Sequence, residues 1–279
     1  MNGKILVLGA GGNVGRPLVQ QLLARGERVV AASRSGAAVA GAEGAAVDIG
    51  DPRSLTAAMD GVDRAFVMLP AGHVQIRERL APVVETLAAR RIHVVMQSVF
   101  GVDADDGIPY RQVELALMAS GTPWVVLRPN WFADNFHTFW LAGIRQGVIA
   151  LPAGEGRSSF IDARDIAASA AAALTDSRFA GQAFDLTGPE ALGYADAAKL
   201  LAEALGRPVR YQAIDDAAFI AQLTGAGVPA DYAQFLAGIF HPVREGWTAR
   251  VTDGVHQLTG QAPRSLRQYV ADHRAALVG

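Results

Sequence analysis

Short apolar runs alternate with amphipathic stretches through the first half of this chain. Ile5, Leu6, Val7 and Leu8 form an unbroken apolar run, and Val14, Leu18, Val19, Leu22 and Leu23 follow at helical spacing. Gly26 ends that helix, and residues 28–32 read as a second strand. Further apolar runs fall at 45–47, 65–69, 94–96 and 124–127, with helical patterns at 52–59, 76–89 and 113–119 between them. This alternation predicts βαβ units, right-handed crossovers and a parallel sheet. The strands are apolar throughout rather than alternating, which is the pattern of strands covered by helices on both faces.

The rhythm changes after residue 130. Trp131, Phe132, Phe136, Phe139 and Trp140 cluster closely. Residues 162–174 read as an Ala-rich helix with Asp162 and Asp165 in capping positions, and 183–186 as one more sheet strand. A helical pattern spans 194–205, and the remainder is mostly helical with Gly and Pro breaks. No repeat, low-complexity tract or flexible linker interrupts the chain. The expected architecture is α/β: a Rossmann-type, doubly wound parallel sheet over residues 1–150, followed by a smaller, mostly helical substrate region over 151–279. An element near 182–187 is expected to return to the sheet, and the substrate cleft to lie between the two regions.

Composition narrows the chemistry. The chain has 279 residues, 51% of them hydrophobic, enough for a sizeable core. Its formal net charge of −2 and lack of a basic run argue against nucleic acid as a partner. There is no cysteine, which removes disulfides, thiolate metal sites and cysteine nucleophiles. The six histidines form no metal-ligand pair, and Asp103, Asp105 and Asp106 read as a solvated loop, so no metal is expected. No signal-peptide pattern opens the chain, and no apolar run approaches the ~20 residues that span a bilayer. A cytoplasmic protein with a small-molecule partner and no membrane partner is the expectation.

The most informative motif is Gly9-x-x-Gly12-x-x-Gly15, placed after a strand and opening a helix. The first Gly permits a tight turn, the second a close approach of backbone to pyrophosphate, and the third close helix–strand packing. With Gly11, Asn13 and Val14 on the same turn, this segment is the expected dinucleotide cradle. NAD sites usually carry an acidic residue after the second strand, whereas this chain has Ser33, Arg34 and Ser35 there. Arg34 can fork onto a 2′-phosphate and the serines can add hydrogen bonds, so NADPH is expected over NADH. Asp48 and Ile49 are placed to touch adenine, Leu69 and Pro70 to line the nicotinamide-ribose side. Ser98 follows the fifth strand.

These residues, with Arg111, Gln112, Val113 and Glu114, Ser120 to Trp124, Leu127 to Phe132, Phe160 to Ala167 and Thr187 to Leu192, resemble the NmrA-like branch of the atypical short-chain dehydrogenases/reductases. The C-terminal stretch, including Gly227, Val228, Pro229, Thr259 and Gly260, is similar to the triphenylmethane reductase and festuclavine-dehydrogenase types. The resemblance implies an NADPH-dependent reductase of quinones, cationic dyes or iminium ions. It implies a rival as well, a non-catalytic sensor of the NADP(H) ratio. A homodimer would suit the superfamily, although no stretch of the chain specifies an interface.

Short-chain reductases typically pair Tyr with a Lys four residues later, the Lys holding ribose and lowering the Tyr pKa. Here Tyr110 is followed by Glu114, and no Lys occurs between Lys4 and Lys199. In isoflavone-reductase-like relatives a catalytic Lys stands where this chain has Tyr110. Tyr110 is thus the candidate for the nicotinamide side and for a hydrogen bond to substrate, without the usual partner. A ketone gaining hydride needs its alkoxide stabilised. A quinone delocalises that charge, and an iminium or triarylmethyl cation is neutralised, so the missing Lys favours electron-poor acceptors. Glu114 is expected to be structural, satisfying backbone or Arg partners. Asn130, Trp131, Asn135 and Phe136 follow the sixth strand at its carboxyl end and are the candidate substrate contacts, with core packing of the aromatics as the competing expectation.

Overall fold

A computed structural model describes residues 3–278. The chain divides into two compact units, Met1–Pro129 with Ala163–Leu186 and Gly254–Gln261, and Asn130–Asp162 with Thr187–Asp253 and Ala262–Gly279.

In the first unit, β1 (Lys4–Leu8), α1 (Gly15–Ala24), β2 (Arg28–Ser33), β3 (Glu43–Ala46), α2 (Pro52–Ala57), β4 (Val62–Val67), α3 (Ile76–Ala89), β5 (His93–Gln97), α4 (Pro109–Ala119) and β6 (Trp124–Pro129) follow in order. The other elements, in chain order, are α5 (Leu141–Arg145), β7 (Val148–Leu151), β8 (Arg157–Ser158), α6 (Ala163–Thr175), β9 (Gln182–Leu186), β10 (Leu192–Gly193), α7 (Tyr194–Leu205), β11 (Arg210–Ala213), α8 (Asp216–Gly225), α9 (Ala230–Gly238), α10 (His241–Arg244), α11 (Gly254–Thr259), α12 (Leu266–Asp272) and α13 (Arg274–Val278). Of these, α6, β9 and α11 belong to the first unit.

The main sheet has the order β3-β2-β1-β4-β5-β6-β9, parallel throughout. This is the doubly wound α/β fold. The winding reverses between β1 and β4, and ligands of open α/β sheets bind at the carboxyl ends of strands flanking such a reversal. The central strands are apolar because they are buried: Ile5, Leu6, Val7, Phe66, Val94, Val95, Met96, Val125 and Val126 have no measurable exposure. The Ala-rich α6 packs against α1 and strands β4, β5 and β6, since small side chains let the helix approach closely. One charged group is built into this layer. Arg64 on β4 is buried and donates to Glu27 (2.8 Å) and Asp63 (2.9 Å), so its charge is balanced in place.

The second unit has its own core. Phe136, Phe160, Tyr194, Phe240 and Tyr269 are buried in it, together with Leu151, Leu201 and Val243. Ring pairs at 4.9 to 5.6 Å with steep interplanar angles, Phe136–Trp140, Phe136–Phe160, Phe160–Tyr194 and Phe219–Phe240, are edge-to-face contacts. Two small ladders that the hydrophobic pattern did not announce frame this core: β7 pairs with β11 in parallel, and β8 with β10 antiparallel. Among the described residues, no helix is long and apolar enough to cross a membrane.

Candidate functional site

The glycine turn begins where β1 leaves the sheet. Gly9 has φ +74°, a backbone conformation that favours glycine, and its carbonyl accepts from the Gly12 N–H at 2.9 Å. The Ala10 N–H donates to the Ala32 carbonyl at 3.0 Å, tying the turn to β2. A side chain on Gly15 would collide with the Gly9 carbonyl and the Ala10 Cα, so the third glycine is required for the turn to lie against the helix. Gly11, by contrast, faces open space, with nothing within 4 Å of where a Cβ would stand. Gly11, Gly12 and Asn13 are exposed, while Val14 and Gly15 are buried under the turn. The ten-residue helix α1 starts at Gly15 with no side-chain cap and no acidic residue in its first turn. Its positive dipole end therefore faces the turn as a pyrophosphate requires, with the Arg16 N–H already donated to the Gly12 carbonyl at 3.0 Å and no N–H on Pro17. This turn and helix end fit a dinucleotide.

The contrast between two glycines gives a direct test. Gly15→Ala introduces a clash with backbone that has no rotamer to escape through. Overpacking of this kind costs roughly 1–3 kcal/mol, so dinucleotide affinity, read by fluorescence titration, is expected to fall on the order of 10-fold or more. Gly11→Ala should leave stability within ~0.5 kcal/mol. Equal behaviour of the two variants would remove the close-packing role assigned to Gly15.

Past β2 the chain turns through Ser33, Arg34 and Ser35. The two serine hydroxyls lie 3.3 Å apart, and the Ser35 hydroxyl accepts from the Ala37 N–H at 3.3 Å. Arg34 between them is exposed. Beyond β3, Asp48 and the half-buried Ile49 lie on a loop held shut by hydrogen bonds. The Asp48 N–H donates to the Ser54 hydroxyl at 3.0 Å, and the Asp48 carboxylate accepts from the Gly50 N–H at 2.9 Å. Leu69 is buried and Pro70 exposed after β4. Ser98, one residue beyond β5, is buried with a hydroxyl that finds no partner among the described residues. All these positions follow the carboxyl ends of β1 to β5 in one sheet, where a dinucleotide lies.

Tyr110 is partly buried in the first turn of α4, behind Pro109 at the helix start. Glu114, one turn on, is fully buried. Its carboxylate accepts a forked pair from Arg128, Nε at 3.0 Å and Nη2 at 2.7 Å, and a third bond from Arg111 at 3.0 Å. Arg128 donates further to Asp103 at 2.6 Å and faces Asp185 at 3.7 Å. Burial opposes the Arg128 charge, but the carboxylates outweigh it and hold its pKa above the ordinary value. Glu114 is thus a structural anion joining α4 to β6. Asp103 belongs to the same network rather than to a freely solvated loop, and Asp106 pairs with Arg111 at 2.9 Å.

The four expected substrate residues divide in the second unit. Phe136 is wholly buried, packed edge-on against Trp140 and Phe160, and is a core residue without a surface for a ligand. Asn130 is buried too. Its amide donates to the Ser159 hydroxyl (2.7 Å) and the Thr248 carbonyl (2.8 Å), and its carbonyl accepts from the Trp131 N–H (2.8 Å). That occupies both amide hydrogens, so Asn130 staples the loop instead of offering a substrate contact. Trp131 and Asn135 keep partial exposure, Trp131 packing on Phe240 with ring centroids 4.7 Å apart. The sequence assigns no role to His73 or Arg79, and marks Arg128 only as part of the 127–132 motif. His73 is a lone loop residue, and the two arginines sit in ordinary helix and strand patterns.

A family model described as "NmrA-like family" matches residues 1–246. The chain is 34% identical to the NAD(P)H azoreductase of Xenophilus azovorans over 281 residues, covering 98% of each. It is 36% identical over 278 residues to an uncharacterized oxidoreductase of Bacillus subtilis, covering 97% of this chain and 95% of the relative. The fold is that of the Escherichia coli NADPH-dependent quinone oxidoreductase solved with NADPH, with TM-score 0.85 at 24% identity, covering 96% of this chain and 99% of that one. With the glycine turn in place at the sheet's reversal and this similarity along almost its whole length, the chain belongs to the NmrA-like family.

Proposed function

We propose that this chain, an NAD(P)H-dependent reductase of the NmrA-like family, uses NADPH in preference to NADH and reduces a small electron-poor acceptor of the quinone, iminium or cationic-dye type. Bound NADPH supplies the hydride. The residues that would hold it are Gly9 to Gly15 at the pyrophosphate, Arg34 with Ser33 and Ser35 at the 2′-phosphate, and Asp48 and Ile49 at adenine. Leu69, Pro70 and Ser98 would serve the nicotinamide-ribose side. Tyr110 is the candidate hydrogen-bond donor to the acceptor, and Trp131 and Asn135 the candidate substrate contacts.

The observation carrying the acceptor class is what stands four residues after Tyr110. That position is a buried carboxylate engaged by two guanidinium groups, not an ammonium. The lysine that makes a phenol a good acid at neutral pH in short-chain reductases does not stand at that spacing from Tyr110. A ketone would have to build alkoxide charge with weak support. A cation loses its charge on taking hydride, and a quinone spreads the charge over its ring before solvent delivers a proton. The azoreductase and quinone oxidoreductase similarities favour the same class.

Loss of reduced-nicotinamide absorbance with the purified chain tests this on benzoquinones, cyclic iminium salts, triarylmethane dyes, an azo dye and unactivated ketones. General acid catalysis is worth on the order of 10²–10⁴-fold. The activated acceptors should therefore exceed the ketones in kcat/KM by ~100-fold or more. Ketone turnover at matching rates would overturn the acceptor class. Tight NADPH binding with no turnover of any acceptor would overturn the reaction assignment.

A further inference from the structure

The region around Arg34 holds more positive charge than its own short motif supplies. His73, on the loop between β4 and α3, lies within electrostatic reach of Arg34, Arg79 and Asp48 together. Arg79 is on the first turn of α3. Its guanidinium reaches the Asp48–Gly50 loop: a Cβ on Gly50 would stand 3.4 Å from Arg79 Nη1 and 3.4 Å from Asp48 Oδ1. Arg79 Nε is buried and has no hydrogen-bond partner among the described residues. Arg79 thus lies against the loop expected to carry adenine, and Arg79 and Arg34, from separate segments, act electrostatically on the same imidazole. The charged group opposing them at His73 is the Asp48 carboxylate.

We infer that His73 and Arg79 act with Arg34 as the 2′-phosphate pocket, so that discrimination for NADPH is shared among three basic groups and does not rest on Arg34 alone. The inference rests on the NADPH preference proposed above. Two guanidinium groups near one imidazole disfavour its protonated form until an anion arrives. A 2′-phosphate, with a charge of about −1.5 to −2 near neutral pH and three acceptor oxygens, offsets that repulsion and offers acceptors to the Arg79 Nη groups. Arg79 would supply the second fixed cation. His73 would act as an adaptable donor: burial, then Arg79, then Arg34 hold its pKa below the ordinary histidine value, with Asp48 opposing. A bound phosphate must therefore draw its titration to higher pH.

The test is fluorescence titration of NADPH and NADH with the full chain and the variants Arg34→Gln, Arg79→Gln and His73→Gln. A hydrogen bond to a charged group is worth ~1.5–3 kcal/mol. Arg79→Gln should accordingly weaken NADPH ~10-fold or more and change NADH less than ~2-fold, and His73→Gln should do the same to a smaller extent. If the wild type prefers NADPH and only Arg34→Gln abolishes the preference, the three-residue pocket is wrong and the NADPH reading survives. If the wild type binds both alike, both ideas fall. An independent readout covers misfolding of Arg79→Gln. In NMR titration of the wild type, adenosine 2′,5′-bisphosphate should move the His73 resonance, assigned by its loss in His73→Gln, to a higher midpoint pH, and adenosine 5′-phosphate should not. The same midpoint with both fragments would overturn the inference.

Discussion

Replacing Glu114 with leucine is expected to destabilise the first unit by about 3 kcal/mol, among the largest effects of any single substitution outside the apolar core. Glu114 is fully buried, and three of the bonds it accepts come from two arginines. Leucine fills the volume but leaves the Arg128 guanidinium, only 7% exposed, without its main counter-charge. Removing one partner of a buried pair typically costs ~3–5 kcal/mol because the survivor remains desolvated. The low end applies here, because Asp103 at 2.6 Å and Asp185 at 3.7 Å still face Arg128. Urea denaturation of the wild type, Glu114→Leu and Glu114→Leu/Arg128→Leu measures this. The double variant should recover part of the loss, since the desolvated guanidinium is gone, less what Asp103 and the largely buried Asp185 lose with it. A single variant within ~0.5 kcal/mol of the wild type, the spread of neutral surface changes, would show that the network adds nothing.

That network also marks where the sequence was legible and where it was not. The strands β1, β2, β4, β5 and β6 were readable because a strand buried on both faces must be apolar along its length. The glycine turn was readable because each glycine answers a separate steric demand, met in the fold by the +74° φ of Gly9 and by the backbone crowding at Gly15. The edge strand β3 was placed at 45–47 and lies at Glu43–Ala46, where side chains are largely exposed and hydrophobicity cannot mark the ends. The strand β11, Arg-Tyr-Gln-Ala, likewise carries exposed polar positions and gave no signal. Helix α4 begins at Pro109 rather than 113, because its first turn carries no apolar stripe. Glu114 and Arg128 lie fourteen residues apart on a helix and a strand, and only the fold brings them together. At Phe136 an aromatic residue near a strand end fits a wall of a site or a core equally well. Its burial among Trp140 and Phe160 decides for the core. Local chemistry is legible from local sequence. Pairings across the fold are not, and His73 with Arg79 is a second instance.

Arg34→Gln is expected to remove a large part of the preference for NADPH, Arg79 and His73 holding the rest, while leaving NADH binding nearly unchanged. Arg34 is exposed on a turn bracketed by Ser33 and Ser35, whose hydroxyls are 3.3 Å apart, so the turn is partly fixed before any ligand arrives. A guanidinium offers a planar fork to a phosphate, and each charge-assisted bond is worth ~1.5–3 kcal/mol. At ~1.4 kcal/mol per tenfold, the Kd for NADPH should rise ~10- to 100-fold. NADH has a hydroxyl at the same place, forms no ion pair with Arg34, and should change less than ~2-fold. Arg34→Lys should fall between, since an ammonium keeps the charge and loses the fork. Salt separates charge from shape. At an exposed site, raising ionic strength from 0.1 M to 1 M cuts the Debye length from about 10 Å to about 3 Å. The wild-type preference should shrink over that range, and the part that Arg34→Gln leaves to the half-buried Arg79 and His73 should shrink less steeply. A preference that Arg34→Gln leaves intact and salt does not move would place discrimination elsewhere, in the shape of the adenine loop around Asp48 and Ile49 rather than in the charge after β2.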